Sequence, residues 1–155
     1  MNYLSTTINL PLIKETAEDS PKMSHPTEVR KFCNDMSTMA QESFQVITLD
    51  TKNDVIDRHM ITLGTVNASI VHPRDVFKVA ITDNATSIIV IHNHPSGDPA
   101  PSFEDITVTK DLIYVGYRMG IPVLDHVIIG RKTEKHNELH SMKENGTCDF
   151  SKDAK

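Results

Sequence analysis

Cysteine is scarce in this chain: Cys33 and Cys148 stand far apart and share no CxxC context. That excludes a disulfide framework while leaving room for one bridge, and the plainer reading is reduced thiols in a cytoplasmic setting. A basic surplus is also missing, because 16 Lys and Arg face 21 Asp and Glu, a formal net charge of −5. Proteins that grip nucleic acid by its phosphates usually carry that surplus, so direct nucleic-acid binding is not expected. No apolar run approaches the roughly 18–20 residues of a membrane span. The longest, Ile88 to Ile91, is a strand's worth. The first residues, Met-Asn-Tyr-Leu-Ser-Thr-Thr, lack a basic stretch followed by an apolar one, so no secretory leader is expected. P-loop, GxGxxG and GxSxG patterns are absent, which argues against nucleotide-phosphate binding and elbow-type serine hydrolysis.

What is present suits one globular domain: 155 residues, 38% apolar and 24% charged. Residues 1–26 hold Pro11, Pro21 and Pro26 with little periodicity and read as an N-terminal tail or arm. Thr27 is the expected cap of a helix running to about Ala40, with Val29, Phe32, Cys33, Met36 and Met39 as its core stripe. Ser43–Asp50 reads as a strand, Thr51–Asp54 as a turn, and Val55 to about Val66 as the return strand of a hairpin. Pro73 opens a helix ending near Asn84. Ser87–Ile91 is a continuous apolar strand, expected to be central and buried on both faces. A proline-rich loop, His92–Pro101, leads to a helix from Ser102 to Met119 with Gly120 as its stop. Pro122–Ile129 is another strand, and a short one is expected near Ser141. Interleaved strands and helices give a mixed α/β class. The domain is read as 27–147, with 148–155 as a C-terminal tail.

The chemistry concentrates in Ile91-His-Asn-His-Pro-Ser-Gly-Asp-Pro-Ala-Pro-Ser-Phe-Glu-Asp105. His92 and His94 are two apart, so extended backbone points both imidazoles to one face. Asp105 lies in the first turn of the next helix and can face back toward them. Two nitrogens and one oxygen leave a position open for water, the pattern of a catalytic zinc site rather than a closed structural one. Ser102-x-x-Asp105 is equally a good capping arrangement, serine at the N-cap and a carboxylate three residues on. His136-Asn-Glu-Leu-His140 is a decoy: its glutamate comes one place late for HExxH, and the segment reads as a polar turn. Asp50–Asp54 lacks the spacing and glycine of an EF-hand and reads as the hairpin turn.

His-x-His, seven residues, then Ser-x-x-Asp resembles the signature of the JAMM (MPN+) zinc metalloproteases. The wider text is similar to the RadC-like branch of that superfamily. The resembling stretches are Gly64-Thr65, His72-Pro73-Arg74, Ala80, Asn84-Ala85, His92 to Asp98, Pro101-Ser102, Asp105, Thr109, Gly120-Ile121, Leu124 to Gly130 and Ser141 to Gly146. The resemblance covers residues 27–147. It implies a single α+β domain of JAB/MPN type, a central mixed sheet flanked by helices in three layers, as in cytidine deaminases.

The resemblance also implies roles. His92, His94 and Asp105 would hold Zn2+, Ser102 would steady an oxyanion, and Glu42 would carry the proton of a zinc-activated water. Glu104 and Glu28 are weaker candidates for that carrier. Asp125, His126 and Asn93 are candidates to orient the ligands, and Arg74 to anchor a loop carboxylate. The implied reaction is hydrolysis of a peptide or isopeptide bond, with a protein or peptide as the substrate. The alternative is an accessory protein of DNA metabolism with structural or vestigial zinc, after the DNA-repair label that RadC-like proteins carry. The helix-hairpin-helix-like region that many of them place ahead of the metal domain is not expected here.

Overall fold

The computed structural model describes residues 20–64 and 71–151. The tail positions 1–19 and 152–155, and the end of the return strand at 65–66, lie outside the described residues.

The order is α1 (Pro26–Phe32), a 3-10 helix (Asn34–Thr38), β1 (Ser43–Leu49), β2 (Val55–Leu63), α2 (Pro73–Thr82), β3 (Ser87–Asn93), α3 (Phe103–Met119), β4 (Val123–Ile129) and β5 (Leu139–Ser141). The strands form one mixed sheet in the order β2-β1-β3-β4-β5. Only β3 and β4 are parallel, and α3 makes the crossover between them. The period of two along each strand divides the core. Phe44, Val46, Ile88, Val90 and Ile128 face Val76, Phe77, Val108 and Leu112 of α2 and α3. Ile47, Leu49, Ile89, Ile91, Val127 and Ile129 face Val29, Cys33 and Met36 on the other side. The result is three layers, with each buried Ile or Phe contributing about 1.5–3 kcal/mol by its removal from water.

The first helix differs from its sequence reading at both ends. Thr27 does not cap it. The helix starts at Pro26, and Glu28 folds back to accept from the Ser24 and His25 backbone N–H groups at 2.6 and 3.0 Å. Proline, lacking an N–H, costs nothing in the first turn. Glu28 is therefore a capping group. The α geometry does not reach Ala40 but gives way after Phe32 to the 3-10 turn. There Ser37 and Thr38 hydroxyls donate to carbonyls three residues back, at 2.7 and 3.1 Å, in competition with the α pattern. Residues 21–26 are no loose arm either: Met23 is buried in the core, and the Lys22 backbone pairs with that of Asp54 in an isolated antiparallel β-bridge. At the other end Cys148 is buried and Phe150 packs against the core.

Asp50 makes the hairpin turn, its Oδ1 accepting from the Lys52 and Asp54 N–H groups at 2.8 and 3.0 Å. Gly120 ends α3 with φ +72°, a left-handed position that glycine takes without steric cost. No described helix is long and apolar enough to cross a membrane.

Both cysteines are free and buried. Burial pushes the Cys33 thiol up to about 12 and raises that of Cys148 as well. The thiolate is the reactive form. At pH 8 the native protein is therefore expected to react slowly with an aromatic disulfide reagent, and both thiols should titrate at once in denaturant. Rapid native labelling would show that the core opens around them.

Candidate metal centre

The site forms where β3 ends and α3 begins. β3 lies between β1 and β4, and its pleat turns His92 toward the α2–α3 layer. The backbone N–H of His94 donates to Ile129 O at 3.1 Å, so the ladder continues one residue past the strand. This keeps the His94 ring on the same face as His92. Gly130, just after β4, lets the loop between β3 and α3 sit close: a Cβ there would lie 2.6 Å from Gly97 O and 2.9 Å from Pro99. Arg131 N donates to Gly97 O at 2.9 Å, and its guanidinium donates to Pro95 O. The proline-rich loop is thus pinned to β4 on its way to α3.

Ser102 is the N-cap of α3. Its Oγ accepts from Asp105 N at 3.0 Å, and Asp105 Oδ2 accepts from Ser102 N at 2.7 Å. The same Asp105 carboxylate lies 3.2 Å from His92 Nε2 through Oδ1 and 3.5 Å from His94 Nε2 through Oδ2. Capping and convergence on the histidines are two uses of one side chain, because a carboxylate has lone pairs for both.

The donor set suits a cation. His92 Nε2 and His94 Nε2 face each other at 2.9 Å, and with Asp105 they offer ligand atoms within 4.8 Å of one another. His94 Nδ1 lies 2.7 Å from Asp98 O. A carbonyl only accepts, so the neutral ring keeps its proton on Nδ1 and presents a bare Nε2 to the cluster. These converging lone pairs, which no proton of neutral His94 reaches, could be satisfied by a divalent ion. Burial raises the Asp105 carboxyl, but the imidazoles of His92 and His94 and the Ser102 backbone N–H outweigh it and hold the group well below its ordinary range. Burial lowers His94, and the Asp105 carboxylate, the Asp98 carbonyl and the Glu42 charge together raise it.

Glu42 precedes β1 and lines a cleft of about 530 Å³ with His94, Ser102, Glu104 and Asp105. Asn93 holds that segment from the opposite face of the sheet. Its Nδ2 donates to Gln41 O at 3.0 Å, and its Oδ1 accepts from Ser43 N at 2.8 Å. The Glu42 backbone is thereby gripped on both sides. Glu104 is exposed at the rim of the cleft, and Arg74 lies beside Asp75 on α2, away from these residues.

The adjacent residues Asp125 and His126 part company, since neighbours on a strand face opposite sides. His126, fully buried, places Nε2 2.8 Å from His92 Nδ1. Burial first, and the neighbouring His92 next, keep its imidazole well below its usual value and hence neutral. Asp125 does not reach His92, His94 or Asp105. It points into the α1 layer and accepts from Ser141 Oγ at 2.6 Å, His126 N at 2.7 Å and Lys143 N at 3.1 Å. The residue that sequence reasoning left without a role is Thr109, buried against His126 Nδ1. Its spacing of four from Asp105 on α3 was the available signal, because that spacing stacks side chains on one helix face.

Two other groupings do not join the site. Asp57, His59 and Asp83 converge where β2 meets the end of α2. There Asp83 Oδ2 meets His59 Nε2 and the Thr48 hydroxyl, each at 2.6 Å, so protons already satisfy the carboxylate. His136 and His140 share no helix: His140 belongs to β5 and meets Thr147, while His136 lies 3.4 Å from Asp98.

Comparison with known proteins follows the same outline. The family described as RadC-like JAB domain matches residues 23–147. A UPF0758 protein of Halalkalibacterium halodurans is 49% identical over 127 residues, 81% of this chain and 53% of the relative. One of Caldanaerobacter subterraneus is 45% identical over 140 residues, 90% of this chain and 58% of the relative. One of Geobacillus is 55% identical over 112 residues, 72% of this chain and 47% of the relative. The chain spans about half the length of these curated relatives.

Proposed function

Because this chain belongs to the RadC-like JAB domain family, we propose that it is a zinc-dependent hydrolase of peptide or isopeptide bonds. The observation that carries the reading is the convergence of His92 Nε2, His94 Nε2 and the Asp105 carboxylate beside a cleft that Glu42 also lines. Zinc held there by His92, His94 and Asp105 would supply Lewis-acid chemistry toward a carbonyl and a water. Glu42 takes the proton from the attacking water and returns it to the leaving amine. The Ser102 hydroxyl uses its oxygen to cap Asp105 N, which leaves its proton for the developing oxyanion. The substrate is a protein or peptide segment that enters along the loop between β3 and α3. Two buried, unpaired thiols agree with a cytoplasmic location.

The deciding experiment is the metal content of the untagged protein by elemental mass spectrometry, beside Asp105→Ala. About one zinc per chain in the wild type, lost in the variant, is expected from three protein ligands on an open site. No zinc in the wild type, or zinc unchanged by the substitution, would reduce Ser102 and Asp105 to a helix cap and end the hydrolase reading.

A further inference from the structure

We propose that Thr109 and His126 are positioning residues that lock His92 into its Nδ1–H tautomer, so that its bare Nε2 faces Asp105 and the metal. The inference rests on the metal reading above and adds to it a second connection between two ligands that stand on different elements.

Proton bookkeeping along the chain of contacts gives the direction. The Thr109 hydroxyl donates to the Asp105 backbone carbonyl at 2.5 Å, and a carbonyl can only accept. The other acceptor near the hydroxyl, Met142 Sδ at 3.3 Å, also carries no proton to give, so the hydroxyl donates away from the ring and Thr109 Oγ1 accepts from His126 Nδ1. His126 then carries its proton on Nδ1 and a lone pair on Nε2. That lone pair lies 2.8 Å from His92 Nδ1, which must donate. His92 is left with a bare Nε2, the atom 3.2 Å from Asp105 Oδ1 and 2.9 Å from His94 Nε2.

Water cannot substitute for any link, because Thr109, His126 and His92 are each no more than 1% exposed. Phe44 holds both rings in place, stacked 6.1 Å from His92 and edge-on 5.7 Å from His126. The relay begins at the backbone of one ligand, Asp105, and ends on the ring of another, His92. It thus couples α3 to β3 through β4, on the side away from the cleft.

The test uses the full chain as wild type, Thr109→Val, Thr109→Ser and His126→Gln. In the metal-free protein, nitrogen-15 NMR of the imidazoles reads the His92 tautomer. Chelator competition then reads zinc affinity. Wild type should show His92 as Nδ1–H. Thr109→Val, which keeps shape and removes the acceptor, should mix the tautomers and weaken zinc about 10–100-fold, the usual scale for such partners. Thr109→Ser should rescue both readouts, and His126→Gln should retain more affinity than Thr109→Val, since its amide oxygen can still accept from His92. A wild-type His92 protonated on Nε2 would overturn the proposal. So would Thr109→Val with unchanged tautomer and affinity. If the wild type takes up no zinc, the metal reading fails, while the metal-free spectrum still decides the relay.

Discussion

Glu42→Gln is expected to keep zinc and lower turnover about 10²–10⁴-fold, the range that a positioned general acid/base supplies. The substitution is nearly isosteric, and the segment's anchors are backbone groups: Gln41 O and Ser43 N on the Asn93 amide, and Glu42 O accepting from Gly64 N at 2.8 Å. Position should therefore persist while proton transfer fails. The comparison is made on whichever peptide or isopeptide the wild type cleaves in a substrate screen, with metal content measured on the same samples. Glu104→Gln is the control, since Glu104 is exposed at the rim and its loss should change turnover little. Equal turnover in wild type and Glu42→Gln would remove Glu42 from the mechanism.

Asp125→Ala should be the costliest substitution for folding among the candidate site residues, and it should leave zinc affinity of the folded protein near wild type. The carboxylate takes three hydrogen bonds, two of which, from Ser141 Oγ and Lys143 N, join β4 to the β5 turn, while the third comes from the neighbouring His126 N. Removing it strands those donors, at about 1–3 kcal/mol for each that stays buried and unpaired. A total near 3 kcal/mol would lower Tm by roughly 10 °C in a chain of this size. Thermal unfolding with zinc competition on the same variant separates this structural role from the ligand-orienting role proposed for His126. A large loss of zinc affinity in folded Asp125→Ala, with unchanged Tm, would reverse the assignment.

Asp125→Asn adds a pH signature. Burial, the largest influence, raises the carboxyl above its ordinary 3.8 despite the hydrogen bonds that lower it. The folded state then takes up a proton before the unfolded state does on acidification. Between the raised folded value and 3.8, stability of the wild type relative to Asp125→Asn should increase as pH falls and decrease as pH rises. Denaturant unfolding of both proteins across that window checks the sign, and a flat difference would mean that the carboxylate is not desolvated.

Much of this protein is written locally in its chain. The apolar run Ile88–Ile91 reads as a central strand and is one, the hairpin turn is carried by Asp50 and its neighbours, and α3 runs from its serine cap to its glycine stop. The spacing His92, His94, Ser102, Asp105 is likewise local: the strand period puts both imidazoles on one face and the serine cap puts Asp105 in the first helical turn, while the loop pinned to β4 brings the two together. Local pattern could not settle where α1 yields to a 3-10 turn, since Glu28 folding back and Ser37 and Thr38 bonding to their own backbone compete closely with α geometry. Nor could it separate Asp125 from His126, two polar neighbours whose faces depend on which layer each side of β4 meets. Pairing of β4 with β3 decided that, sending the imidazole to His92 and the carboxylate to the β5 turn. Thr109 is the plainest case: its hydroxyl acquires a role only because the crossover helix lays it against a histidine 17 residues away in the chain.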